Sequence, residues 1–260
     1  MSGWIQFKPY YIYIMQIPKL LILIFLLAIA NSSFGQKLNK IEREYFILGT
    51  LSDDSGHDVD PREENLFDRY YSMQEPLITV IDSLLKKDYL ISAYKVERYL
   101  DSTGNFLSGK IFSDTLLKRF DVYYTFKENG TFTSDNDPKL NNKPILMRYL
   151  KTKIFDEDSQ KLAFLAGTYV RFGLANDTAY EISIPESFGK AKICYNLLVN
   201  FKCKATYQVW QDHIPTGYHV YFHPSQKIKA YLQQFMYLRK RLDEAERIWF
   251  EREINESKHK

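Results

Sequence analysis

Tyr207-Gln208-Val209-Trp210-Gln211 and Tyr218-His219-Val220-Tyr221-Phe222 flank Ile214-Pro215-Thr216-Gly217, and this stretch sets the fold class of the 260-residue chain. Two β-prone runs around a Pro-Gly turn predict an antiparallel hairpin. Working back along the chain, Tyr94–Leu100 and Phe106–Phe112 alternate on either side of Asp101-Ser102-Thr103-Gly104-Asn105, a second hairpin. A third is read over Val122–Thr133, where Asn129-Gly130 supplies the two residues that tolerate positive φ. Thr168–Phe172 and Tyr180–Ile184 are read as a further strand pair, and Glu44–Leu51 as a buried strand or a short helix end.

Helical spacing places helices over Glu63–Met73, Pro76–Lys87, Ile145–Lys153 and Ser159–Leu165. Another runs from Lys190 to about Phe201, with Ser187 as its cap. No internal repeat is read in the sequence. The pattern is α+β: antiparallel hairpins packed with helices, plus a long C-terminal amphipathic helix. Ser134–Pro144 is the most loop-like stretch. It separates an N-terminal α+β region (36–133) from a ββαββ region (145–223), which is followed by a helix over 224–256.

Residues 1–35 are expected to be an export signal. Lys19 precedes the apolar run Leu20–Ala30, and Ser33 and Gly35 are the small residues before a cut at Gln36. The run is shorter than the roughly 20 residues that span a bilayer. Met15 is an alternative start, because a complete signal follows it. The segment carries Lys8 and Lys19 and no acid, so most of the +3 formal charge leaves with it. The expected protein is therefore secreted or periplasmic, with no integral membrane segment after cleavage. It shows no concentrated basic stripe, and so no nucleic-acid partner is expected.

Cys194 and Cys203 are the two cysteines, and export permits a bridge between them. On one helix they would stand about 13 Å apart, beyond the roughly 7 Å that a disulfide spans. They pair only if the helix stops early. The 20 Tyr and 18 Phe are spread evenly and are read as core and sheet filling, not as a sugar-stacking patch.

Candidate chemistry is sparse, and no cofactor is named by any motif. His213, His219 and His223 are three of the five histidines. Period-two alternation puts His219, Tyr221 and His223 on one face. With Pro215-Thr216 at the centre of the turn, Asp212 falls opposite His219 and Trp210 opposite Tyr221. Asp212 and His219 could form a general-base pair, and His219 with His223 could begin a metal site, which gives a hydrolase as the alternative function. The acidic run Asp53, Asp54, Ser55, Asp58 and Asp60 lacks the order of a calcium loop and is read as solvated.

The strongest signal is the last helix. Ile228, Tyr231, Phe235, Leu238, Leu242, Ala245 and Trp249 recur at alternating three- and four-residue steps, the pattern of a coiled-coil seam. The leading expectation is an exported non-catalytic protein that binds a protein partner or self-assembles through Phe235, Leu238, Leu242 and Trp249.

Overall fold

The apolar run at 44–51 folds as helix, not strand, because it is buried on every side against a second apolar helix. The computed structural model describes residues 38–52, 65–87, 93–131, 133, 142–175, 179–211 and 216–258. In chain order the first elements are α1 (Lys40–Thr50), β1 (Leu66–Tyr71), α2 (Glu75–Lys86), β2 (Lys95–Leu100), β3 (Phe106–Phe112) and α3 (Asp114–Asp121). A ribbon follows, β4 (Tyr124–Thr131) and β5 (Pro144–Leu150). Then come α4 (Asp158–Phe172), β6 (Gly173–Ala175), β7 (Tyr180–Pro185), α5 (Phe188–Asn200), β8 (Lys204–Trp210), β9 (Gly217–His223) and α6 (Gln226–Leu232). A 3-10 turn at Gln233–Phe235 leads into α7 (Met236–Lys258). This is the α+β class, with every described strand pairing antiparallel.

The order of elements is duplicated. The series α1-β1-α2-β2-β3-α3 recurs as α4-β7-α5-β8-β9-α6. The first sheet has strand order β1-β3-β2 and the second β7-β9-β8, with β6 added beside β7. Ser113 and Ser225 stand at the starts of the corresponding helices α3 and α6. The chain thus contains the internal repeat that the sequence reading did not find. Its densest trace is Phe46-Ile47-Leu48-Gly49-Thr50 against Phe164-Leu165-Ala166-Gly167-Thr168.

Those two segments cross in backbone contact. A Cβ on Gly167 would lie 2.0 Å from the Phe46 carbonyl oxygen, and one on Gly49 would lie 2.2 Å from that of Phe164. The two contacts mirror each other, as a local two-fold relation requires. Thr50 and Thr168 bury their hydroxyls by donating to Ile47 O and Phe164 O within their own helices. Around the crossing, Phe46 stacks on Phe235 at 5.2 Å, and Leu238 and Leu242 of α7 complete the core.

Several expected elements differ from those observed. Residues 66–71 form a strand, not a helix: a register shift between Leu66 and Asp68 lets Phe67, Asp68 and Tyr70 all be buried, which mimics helical spacing. Residues 168–172 belong to α4, not to a strand. Residues 144–150 are strand β5, not helix. Asn129-Gly130 does not close a hairpin. β4 runs through it to pair with β5, and Gly130, at φ +91°, sits where the register shifts between Glu128 and Thr131.

The long C-terminal helix is broken at Gln233–Phe235. Its apolar seam is folded inward: Ile228, Phe235, Leu238 and Leu242 are all buried. Residues 40–260 form one compact unit. No helix among the described residues is long and apolar enough to cross a membrane.

The glycine crossing gives a direct test. Gly167→Ala should lower unfolding free energy by about 2 kcal/mol or more through overpacking. Gly189→Ala on α5, where a Cβ meets nothing within 4 Å, should be neutral or gain up to ~1 kcal/mol. Urea midpoints of the two variants measure the contrast, and equal midpoints would contradict the crossing.

Candidate functional site

Both crossing helices end inside the protein, where their terminal carbonyls need donors. α1 is capped from the second half. Lys190, fully buried on α5, donates to Leu48 O (3.3 Å), Gly49 O (3.2 Å) and Leu51 O (2.5 Å). α4 is capped by Arg239 of α7, whose Nη1 donates to Val170 O at 2.6 Å and Arg171 O at 3.3 Å. Each cation faces the negative end of a helix dipole.

Between these caps lies a buried charge network. Arg171 at the end of α4 donates from Nη1 to Thr50 O and to Asp68 Oδ2, both at 2.6 Å. Its Nη2 donates to Arg69 O (2.6 Å) and Gln74 Oε1 (3.2 Å). The Arg171 and Asp68 side chains are only 1% and 2% exposed. The other Asp68 oxygen accepts from the backbone N–H and hydroxyl of Ser52. Burial, with the Asp68 charge beside it, raises the Tyr70 phenol well above its ordinary value. A cleft of about 230 Å³ opens here, bounded by Gln74, Arg171, Phe172, Ser183, Arg239 and Glu246. The guanidiniums at its wall are held by Asp68, Asp243 and backbone carbonyls, so the network is structural.

The faces of the two sheets turned away from the helices differ in character. On the first sheet, cross-strand pairing sets Arg69, Lys110 and Glu97 side by side, and Tyr71, Ser108 and Tyr99 in the next row. Lys95 adds another cation on the same face and donates to Glu97 at 2.5 Å; its bond and that of Tyr99 hold the Glu97 carboxyl below its ordinary value. Lys110 lies 5.7 Å from the centre of the Tyr99 ring.

On the second sheet the outer face carries Glu181, Ser183, His219, Tyr221, His223, Lys204, Thr206, Gln208 and Trp210, in register across β7, β9 and β8. His219 Nδ1 lies 2.6 Å from Glu181 Oε1, and its ring stacks on Trp210 at 4.0 Å. Its Nε2 occupies the space a side chain at Gly217 would take, 2.7 Å from the position of a Cβ. Burial and the Glu181 carboxylate push the Tyr221 phenol up.

The expected sharing of a face by His219, Tyr221 and His223 holds. The expected register does not: Gln208, not Asp212, is opposite His219, and Trp210 pairs with Gly217. The carboxylate at His219 is Glu181, from a strand far away in sequence. Asp212, His213, the acidic run 53–60 and the export segment 1–35 lie outside the described residues. Among the described residues, no three His, Cys, Asp or Glu side chains gather to hold a metal ion. Cys194 and Cys203 are not bridged to each other, and Cys203 accepts from Ser225 N at 3.3 Å. Of the residues assigned to partner binding, Phe235, Leu238 and Leu242 are in the core, and Trp249 is half-buried beside Phe250.

No motif read in the sequence singles out Lys190, Arg171 or Asp68, and Arg239 is marked there only by its i,i+4 spacing to Asp243, a pair the structure forms. The signal that could have found them is the repeated Phe-x-x-Gly-Thr, which marks both helix ends that they serve.

No family model matches the chain, and no curated protein matches it in sequence. Among solved structures it is similar to I-DmoI in complex with DNA and calcium, at 15% identity and TM-score 0.43, covering 77% of this chain and 88% of that one. It is also similar to the homing endonuclease I-WcaI bound to its DNA recognition sequence (13%, TM-score 0.39, 77% and 91%). Full-length DUF199/WhiA from Thermatoga maritima gives 14% and TM-score 0.46, covering 82% of this chain and 61% of that one.

These findings correct the expected function. The C-terminal stripe that was to bind a partner is spent on the chain's own core. The similar solved structures include DNA-bound homing endonucleases. The exported partner-binding reading and the exclusion of nucleic acid are therefore withdrawn. The Asp212–His219 pairing assumed for the hydrolase alternative is also corrected, since the register sets Gln208 opposite His219 and His219 is 6% exposed.

The charge network predicts a large asymmetry between single and double variants. Asp68→Ala should cost about 3–5 kcal/mol, because it strands the Arg171 charge in the interior. Combining Asp68→Leu with Arg171→Met should recover much of that loss. Chemical denaturation of both proteins checks it, and a double variant no more stable than the single one would count against the network.

Proposed function

We propose that the chain binds nucleic acid across the outer faces of its two sheets. The observation that carries this reading is the Arg69–Lys110 pair. Arg69 and Lys110 are cross-strand neighbours, with Lys95 on the same face and Glu97 as the acid among them. An anionic backbone laid over these three cations releases its counterions.

The duplicated architecture supports the same reading. Each sheet packs its apolar face on helices and carries mainly polar side chains on the other, as antiparallel sheets can. Strands of such sheets can enter nucleic-acid grooves. Arg69, Lys95, Lys110 and Lys204 are suited to phosphates, which position the ligand. Ser108, Thr206 and Gln208 are suited to base edges, which specify it. The DNA held by I-DmoI and I-WcaI makes duplex DNA the first probe to use.

Basicity in the linear sequence is dilute because the cations sit on different strands and meet only across the sheet. Fluorescence anisotropy with a labelled 30-base-pair duplex should show binding in the range of about 1–100 μM near physiological salt. Arg69→Glu/Lys110→Glu should weaken it and flatten the logarithmic salt dependence by about two contacts, with an unchanged melting temperature. No binding by the wild type, or an unaltered salt slope in the variant, would remove the proposal.

A further inference from the structure

The outer face of the second sheet is built unlike that of the first. Trp210 closes β8 with 40% of its surface exposed, and its ring lies flat on His219 at 4.0 Å and 27°. The imidazole beneath it is held on three sides. Glu181 takes Nδ1, Gly217 leaves the slot that Nε2 fills, and the Tyr221 ring follows in near-parallel orientation at 12°. A side chain at position 217 would collide with this ring, so the glycine serves the stack.

A rigid, exposed indole on a pre-formed aromatic base is a stacking platform. We infer that Trp210, held flat by His219, receives an unpaired nucleobase, so that this half of the protein takes single-stranded or locally opened nucleic acid. Duplex bases expose only edges, whereas an unstacked base presents the π-face that an aromatic side chain can cover. The rest of the face fits the assignment. From Trp210 the cross-strand pairs run Gln208–His219, Thr206–Tyr221 and Lys204–His223, from platform to amide and hydroxyl groups and then to a cation. That ladder is roughly 20 Å long at strand rise, and it is ordered as a nucleotide chain would use it: base stacking at one end, phosphate attraction at the other. A neutral sugar could also lie on an indole, but it has no use for Lys204.

The inference rests on the nucleic-acid reading above, and its test separates the two. In a Trp4→Phe/Trp249→Phe background, Trp210 is the remaining tryptophan of the three. Titration with unlabelled oligo(dT) should quench its fluorescence, while an abasic strand of equal length should bind without quenching. Affinity for oligo(dT), followed by anisotropy of a labelled strand, should fall roughly 5- to 150-fold in Trp210→Ala. It should be largely restored by Trp210→Tyr. Gly217→Ala, which displaces His219 without touching the indole, should reduce it too.

Unchanged oligo(dT) affinity in Trp210→Ala, with the Arg69→Glu/Lys110→Glu variant still impaired, would overturn the platform and leave the binding proposal standing. Quenching by a neutral oligosaccharide but not by oligo(dT) would overturn the choice of nucleobase. Absence of binding to any nucleic acid would overturn both.

Discussion

Two helices in backbone contact leave no room for side chains between them, and that constraint organises the molecule. Gly49 and Gly167 each lie against the carbonyl of a phenylalanine on the other helix, Phe164 and Phe46. Close approach buries the C-terminal halves of both helices, so their last carbonyls end in a dry interior where water cannot serve them. Lys190 and Arg239 supply the missing donors from α5 and α7. The position of α7 follows from the same need: the residue that caps α4 also fixes the helix whose Leu238 and Leu242 close the core.

The crossing also separates two kinds of surface. Inside, Arg171 is answered by Asp68 and by three further acceptors. Outside, on the sheet faces, charges and aromatic rings are arranged by cross-strand register alone. The first face carries cations in adjacent rows, the second a Trp–His stack fastened by Glu181. The proposed binding reading belongs to the outer layer; the buried network holds the two sheets at a fixed relation beneath it.

What could be read from the sequence was what depends on near neighbours. The hairpins β2–β3 and β8–β9, and helices α2 and α5, follow from alternation, turn chemistry and capping within a few residues. Residues 44–51 and 168–172 were ambiguous or misread because burial on all sides erases the helical period. β1 was misread because a bulge buries Phe67 and Tyr70 together. At the site, the common face of His219, Tyr221 and His223 was legible from period two. Glu181 was not, since β7 reaches β9 only through the sheet, and the Asp212 pairing failed because the hairpin register is offset from the assumed turn centre. Dilute cations looked like ordinary surface charge until pairing set Arg69 beside Lys110.

The helix-end caps make the two repeats complementary. Lys190 and Arg171 are both second-half residues, and both hold the end of the first-half helix; Asp68, which neutralises Arg171, is first-half. A symmetric pair of first halves would have two buried helix ends and no cation to receive them. A symmetric pair of second halves would bury several cations with no Asp68 to neutralise Arg171. The two halves are thus not interchangeable: the first supplies the helix end and the carboxylate, and the second supplies the cations that receive them.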